Sequence, residues 1–226
     1  MSHRVFDQIS KHSIQRTPRL TLNTWLPGSG FDILDKVRNF STKIYRSAGY
    51  NEYPFMNFDP WSIWFYVTDR EGHIQAASRL VEKRDDNLVP IEFALLDFPF
   101  HHGEAENIEH YTKSKLNIRY AIVKTNSADW NSVSFRPTIL GGRAMKLCAT
   151  AVANYCITKG FEIVYGLINP EWLGLHRVYL DYGAKESDEF PNLVYYPHCK
   201  LRGRVSKFRI IEMHKNSLQY LAMNAV

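Results

Sequence analysis

The sequence predicts one mixed α/β domain (α+β, with strands running both ways in a single sheet) preceded by an N-terminal helical arm. Three observations predict it. Segments with apolar residues every three or four positions alternate with short β-branched runs. One strand–helix–strand unit, at 117–168, requires a crossover and so a parallel strand pair. The chain of 226 residues is long enough for one large core and short for two ordinary domains.

Residues 1–30 form the arm, an extended or irregular lead-in containing Pro18 and Pro27; the domain is expected over 31–226. Apolar residues Ile33, Leu34, Val37, Phe40, Ile44, Tyr45 and Ala48 follow Ser29-Gly30 at helical spacing. Asp32 and Asp35 sit at the favoured end of the dipole, and Gly49 supplies the stop, so a helix is expected over 31–48. A loop follows at Tyr50 to Trp61. Ser62–Val67 and Ile74–Val81 flank the turn Asp69-Arg-Glu-Gly72 and read as an antiparallel hairpin. Pro90–Leu96 can form a strand or a helix, and 97–116 a loop. Asn117–Lys124 (NIRYAIVK) reads as a strand, and 125–138 as a polar connection. Leu140–Tyr155 is a helix with no charge between Lys146 and Lys159, hence buried on more than one side. Glu162–Ile168 reads as a central strand. Pro170 opens a helix that Gly183 ends. Leu193–Tyr196 and Ser206–His214 close the sheet.

Composition narrows the function. Hydrophobic residues are 45% and charged residues 23%, which excludes a disordered chain. Apolar runs reach only about six residues against the ~18 of a membrane span, and Met1–Ser10 lacks a signal-peptide pattern. A cytoplasmic protein is expected, with Cys148, Cys156 and Cys199 reduced. Neither CxxC nor HExxH occurs, and His101-His102 falls on a polar loop, so no metal site is expected. Lys plus Arg is 28 and Asp plus Glu 23, a net +5. The basic residues are dispersed apart from Lys200, Arg202, Arg204, Lys207 and Arg209, so no nucleic-acid partner is expected.

The order of elements, with Gly141-Gly-Arg-Ala144 opening the buried helix and Asn169…Tyr179…Gly183-Ala184 after the next strand, resembles the GCN5-related N-acyltransferases. Independently of any family, small residues and unpaired N–H groups at a helix start suit a phosphate. A closer resemblance runs through Gly49-Tyr50, Phe58-Asp59, Trp64-Phe-Tyr-Val67 and Ala77-Ser-Arg-Leu80. These residues are similar to acyl-homoserine-lactone synthases and the long-chain N-acyl amino acid synthases. Leu116 and Asn57 stand where lactone synthases carry acids, which points to the N-acyl amino acid synthase group.

The resemblance implies acyl transfer from a thioester to the amine of an amino-acid-like acceptor. The donor would be acyl-phosphopantetheine on an acyl carrier protein, or acyl-coenzyme A, with no cofactor held tightly. Donor contacts would come from Gly141, Gly142, Arg143, Ala144 and Asn169. Ile122, Val123 and Lys124 would supply backbone N–H groups for the oxyanion. Tyr179 would protonate the leaving thiolate, and Glu92, flanked by apolar residues, would be the base. Asp59, Arg79, Arg119 and Trp64 would bind the acceptor, Asp59 pairing with Arg79, because an unpaired buried charge is costly. The aromatics Trp61, Trp64, Phe65, Tyr66, Phe93, Phe98 and Phe100 would wall an acyl chain, and the basic cluster at 200–209 would dock an acidic carrier. A coenzyme A-dependent acetyltransferase of a small amine and a non-catalytic acyl-binding relative remain open.

Overall fold

A computed structural model describes residues 16–17, 20–52, 58–95 and 122–224. Arg119, His101, His102, the loop at 97–116 and most of the strand expected at 117–124 lie outside the described residues. The elements run β1 (Arg16–Thr17), β2 (Leu20–Trp25), α1 (Phe31–Ser47), β3 (Tyr50–Glu52), a 3-10 turn (Asp59–Trp61), β4 (Ser62–Asp69) and β5 (Ile74–Glu82). They continue with α2 (Pro90–Leu95), β6 (Ser127–Asp129), β7 (Val133–Phe135), α3 (Ile139–Lys159), β8 (Ile163–Ile168) and α4 (Leu173–Asp181). Last come β9 (Lys185–Glu186), β10 (Val194–Leu201), β11 (Arg204–His214) and α5 (Lys215–Asn224). Among the described residues the strands form one mixed sheet of order β1-β2-β4-β5-β6-β8-β11-β10-β3, with β7 beside β5 and β9 beside β11.

The β4–β5 hairpin forms where expected because its turn is tied locally. Asp69 Oδ1 accepts the N–H groups of Glu71 and His73 at 3.0 and 2.9 Å, and Gly72 takes φ +82°. Alternation then sorts side chains between two layers. Ile63, Phe65, Val67, Ala76 and Leu80 face α3; Trp64 and Ala77 face Leu34 and Val37 of α1. On that second side α2 packs over Val81, Tyr165 and Tyr196.

Helix α3 is apolar nearly all round because it is sandwiched between the sheet and α5, which contributes Leu218 and Leu221. Ala144, Ala149 and Ala153 are wholly buried, and their small size lets the layers approach. Thr138 caps the helix by accepting the Gly141 N–H at 3.0 Å, an interaction worth about 1 kcal/mol. Gly160 ends it at φ +75°.

Two expectations are corrected. Part of the arm, Leu20–Trp25, is a sheet strand: Leu20 and Leu22 enter the α3 core and Trp25 the opposite one. The parallel partner of β8 is Ser127–Asp129, within the supposed polar connection, while 122–124 are not strand. Of the two forms open to Pro90–Leu96, the helix is the one adopted, over Pro90–Leu95. The closing helix α5 was not anticipated.

Glu92 explains why 122–124 leave the ladder. Its carboxylate is fully buried. Oε1 accepts the N–H groups of Ile122 and Val123 at 2.7 and 3.0 Å. Oε2 accepts the Val89 N–H at 2.8 Å and Lys83 Nζ at 3.1 Å. One side chain thus satisfies three backbone donors and the buried Lys83 ammonium. Replacement Glu92→Leu strands the three backbone donors and leaves the Lys83 ammonium without its counter-charge, with only the Asn87 carbonyl to accept from it, and urea unfolding is expected to show a loss of about 3–5 kcal/mol. A second prediction concerns the glycines of α3. A Cβ on Gly141 would lie 2.1 Å from the Arg136 carbonyl oxygen, whereas Gly142 has nothing within 4 Å. Gly141→Ala should cost about 1–3 kcal/mol by overpacking, and Gly142→Ala should be neutral or stabilising by up to ~1 kcal/mol.

Candidate active site

The parallel pair β6–β8 is short. It runs through Ser127↔Ile163, Ala128↔Val164 and Asp129↔Tyr165, and its last bond is Trp130 N–H to the Tyr165 carbonyl at 2.7 Å. The chain then kinks. Ser132 adopts φ +73°, its carbonyl accepts the Arg79 N–H at 3.0 Å, and β7 continues against β5 alone among the described residues. Strand β8 runs on to Ile168 with β11 on its other edge. The two strands therefore part beyond Asp129 and Tyr165, and Trp130, Asn131 and Ser132 lie outside the ladder.

A cavity of about 490 Å³ fills the gap, within the ~300–1,000 Å³ usual for ligand pockets. The kink, the end of α1, the end of β8, α4 and β10–β11 wall it. Eight of its twenty lining residues are aromatic. Tyr50 stacks on Trp172 at 5.9 Å, with Tyr45 edge-on to Tyr50 at 5.6 Å. Trp130 meets Tyr179 edge-on at 5.5 Å. Tyr45 fixes the kink: its hydroxyl donates to the Val133 carbonyl at 3.0 Å and accepts the Val133 N–H at 3.1 Å. Asn169 Oδ1 accepts the Glu171 N–H at 2.9 Å, shaping the turn into α4, and its Nδ2 reaches toward Tyr50.

Of the expected site residues, Tyr179 and Asn169 line this cavity. Burial pushes the Tyr179 hydroxyl well above its ordinary pKa, and nearby Tyr45, Asp129 and Tyr182 add to the shift. The start of α3 lies at the mouth, where Pro137 is part of the wall. There Gly141 N–H is held by the Thr138 hydroxyl and Gly142 N–H by the Thr138 carbonyl at 2.9 Å. The donors left at this end are the N–H groups of Ile139 and Leu140, which precede the first intrahelical bond. Arg143 is exposed there, and Ala144 is wholly in the core.

The other expected site residues are placed differently. Glu92 carries four donors and is a structural anchor, so it has no lone pair set aside for a substrate proton. The N–H groups of Ile122 and Val123 are bound to it and are not available to an oxyanion. Asp59 pairs with Arg38 of α1, not with Arg79. Arg79, fully buried, donates to Asn131 Oδ1, and its guanidinium lies 5.4 Å from the Trp64 ring centre and 5.7 Å from that of Phe58. The cation is therefore housed between aromatic faces and an amide. Trp64 is a core residue with no place in the cavity wall, and Phe65 packs under α3. The acyl-wall aromatics expected between 61 and 95 do not line the cavity. Cys148 and Cys156 are core residues, whereas Cys199 lines the cavity with its thiol pushed up to about 12 by burial.

Sequence reasoning missed Tyr45, Tyr50, Trp130, Asn131, Trp172 and Tyr196. The signal available was Asp129-Trp-Asn131, a large aromatic between two polar residues in a largely polar stretch.

No protein-family model and no curated protein matches the chain. Among solved structures it is similar to FeeM, an N-acyl amino acid synthase from uncultured soil microbes. The TM-score is 0.61 at 13% identity, covering 92% of this chain and 96% of that one. It is also similar to spermidine N-acetyltransferase from Vibrio cholerae in complex with CoA and spermine, with a TM-score of 0.54 at 13% identity over 90% and 99% of the two chains. A likeness that spans nearly the whole of each chain, together with a parallel strand pair that parts beside a buried helix, gives this protein the fold of the GCN5-related N-acyltransferases.

Proposed function

We propose that the protein is an N-acyltransferase that moves an acyl group from a thioester to the amine of an amino-acid-like acceptor. The observation that carries this reading is the cavity opened where β6 and β8 separate. A phosphopantetheine arm entering past the start of α3 has there a slot between strands that bears unpaired backbone polar groups. The two structural neighbours bear names for amine acylation, one of an amino acid and one of a polyamine.

The amides at the kink, Asn131 and Ser132, lie outside the ladder and suit the oxyanion of a tetrahedral intermediate. Tyr179 stands at the same wall. Because burial raises its pKa above that of a thiol, its role is to donate a hydrogen bond to the leaving sulfur while keeping its proton. The aromatic lining suits a long acyl chain, at ~0.8 kcal/mol for each methylene buried. Arg79 orients Asn131 and, with Arg119, serves recognition of the acceptor; Asp59 and Arg38 shape that end. A phosphate at the mouth is drawn by the start of α3 with exposed Arg136, Arg143 and Lys146. The exposed Arg202, Arg204 and Lys207 of the β10–β11 hairpin suit an acidic carrier protein. Three unpaired buried thiols suit the reducing cytoplasm.

The test is thiol release from decanoyl-coenzyme A, acetyl-coenzyme A and a decanoyl carrier protein against a panel of amino acids and spermidine. Turnover with the decanoyl donors and an amino acid is expected. Turnover confined to acetyl-coenzyme A would establish small-amine acetylation instead, and none with any donor would leave acyl binding. Cys199→Trp fills the cavity. It should lower kcat/KM for the decanoyl donor about tenfold or more, equivalent to roughly two methylenes excluded at ~0.8 kcal/mol each, and spare acetyl transfer. Tyr179→Phe should lower kcat about 10²-fold with KM for the donor unchanged.

A further inference from the structure

The two edges of strand β7 are held in different ways. Successive residues of a strand turn their backbone polar groups to opposite edges. Toward β5 the strand is paired: the Ser132 carbonyl accepts the Arg79 N–H at 3.0 Å, and Val133 and Ser134 register against Ser78 and Ala77. Val133 turns its N–H and carbonyl to the other edge. That is where β8 would lie had the β6–β8 ladder continued, and among the described residues no strand pairs there. One side-chain oxygen meets both groups instead. The Tyr45 hydroxyl donates to the Val133 carbonyl at 3.0 Å and accepts the Val133 N–H at 3.1 Å.

The kink before Val133 is pinned on its other side as well. The Trp130 N–H bonds the Tyr165 carbonyl at 2.7 Å, and the Arg79 guanidinium donates to Asn131 Oδ1. Between these clamps and Tyr45, the N–H groups of Asn131 and Ser132 find no acceptor among the described residues. Helix α1 brings Tyr45 to this place and is tied to β7 a second time one turn earlier. There Ser41 Oγ lies 2.8 Å from Ser134 Oγ, both residues wholly buried. The tie at Ser41 holds the helix to the strand, whereas the tie at Tyr45 holds the kink itself.

We propose that Tyr45 is a positioning residue for acyl transfer: its hydroxyl stands in for β8 on the vacated edge of β7 and so holds the free amides of Asn131 and Ser132 where the oxyanion forms. The inference rests on the acyl-transfer reading and names the group that keeps the oxyanion site built before the substrate arrives. The Tyr45 proton is committed to the Val133 carbonyl, so the residue acts through the kink and not on the substrate.

Tyr45→Phe keeps the ring against Tyr50 and removes only the oxygen, leaving both Val133 groups unmet and the kink unpinned. In thiol release with the donor and amine that wild type uses best, kcat should fall about 10²-fold, the cost of a misplacement of ~1 Å. KM for the donor should stay within about twofold. Ser41→Ala is the control: it cuts the neighbouring tie between the same helix and strand and should leave kcat within about twofold. A role limited to holding α1 on the sheet would move both variants alike. 4-Aminophenylalanine in place of Tyr45 keeps a donor for the Val133 carbonyl and should recover part of the rate, ending about tenfold below wild type. It carries the same comparison if Tyr45→Phe does not fold. If wild type is active and removing the hydroxyl leaves kcat within about threefold, or if Ser41→Ala loses as much as Tyr45→Phe, the assignment is overturned while acyl transfer stands. If wild type transfers no acyl group to any amine, both fall.

Discussion

The structure turns on one lapse in hydrogen bonding. Strands β6 and β8 pair for three residues, share a last bond from Trp130 to Tyr165 and then separate. Strands left unpaired in a core would normally be ruinous. Here the exposed polar groups are met piecemeal: the Ser132 carbonyl takes the Arg79 N–H, and both backbone groups of Val133 use the Tyr45 hydroxyl. The positive φ of Ser132 is the local strain that keeps the chain turned away. The slot persists because these edge groups are met by partners other than the facing strand, and the amides of Asn131 and Ser132 lie outside the ladder.

Around the slot the protein buries charge, always with a division of labour. Glu92 uses both oxygens to hold Lys83 and the returning chain at Ile122–Val123, which is a mechanical task. Arg79 spends its guanidinium on Asn131 and two aromatic faces, fixing a wall residue. Asp129 gives one oxygen to the Ile91 N–H, and the other has no hydrogen-bond partner among the described residues. Two acids similar in sequence context, each beside an isoleucine or alanine, thus differ completely in availability. The difference lies in how many backbone N–H groups the fold aims at each.

Much of the fold is legible in the sequence because local signals agree. Helix α1 has its apolar period, the β4–β5 hairpin its Asp-x-x-Gly turn, and α3 its long uncharged run. The site is less so. Strand β6 is only three residues, Ser-Ala-Asp, with no β-branched residue, and its strand character comes entirely from being clamped between β5 and β8. NIRYAIVK has the intrinsic preference of a strand, yet Ile122–Lys124 lies outside the sheet because Glu92 captures the amides of Ile122 and Val123. The pairing of Asp59 with Arg38 instead of Arg79 depends on where α1 lands, which no spacing encodes. Tyr179 and Asn169 are recoverable because they lie near the end of a strong strand and on the helix after it. Tyr45, Tyr50 and Tyr196 look like ordinary core aromatics until the tertiary fold brings them around one space.

We propose that the slot between β6 and β8 admits a pantetheine tether with its acyl group. The most direct measurement is a crystal structure with S-decyl-pantetheine, the thioether in which a methylene replaces the thioester carbonyl, so that it cannot be cleaved. The pantetheine should run between Trp130–Ser132 and Gly166–Ile168, with its sulfur beside Tyr179 and its decyl chain against Tyr50 and Trp172. Strands closed over an empty slot, or the ligand bound elsewhere on the surface, would contradict it.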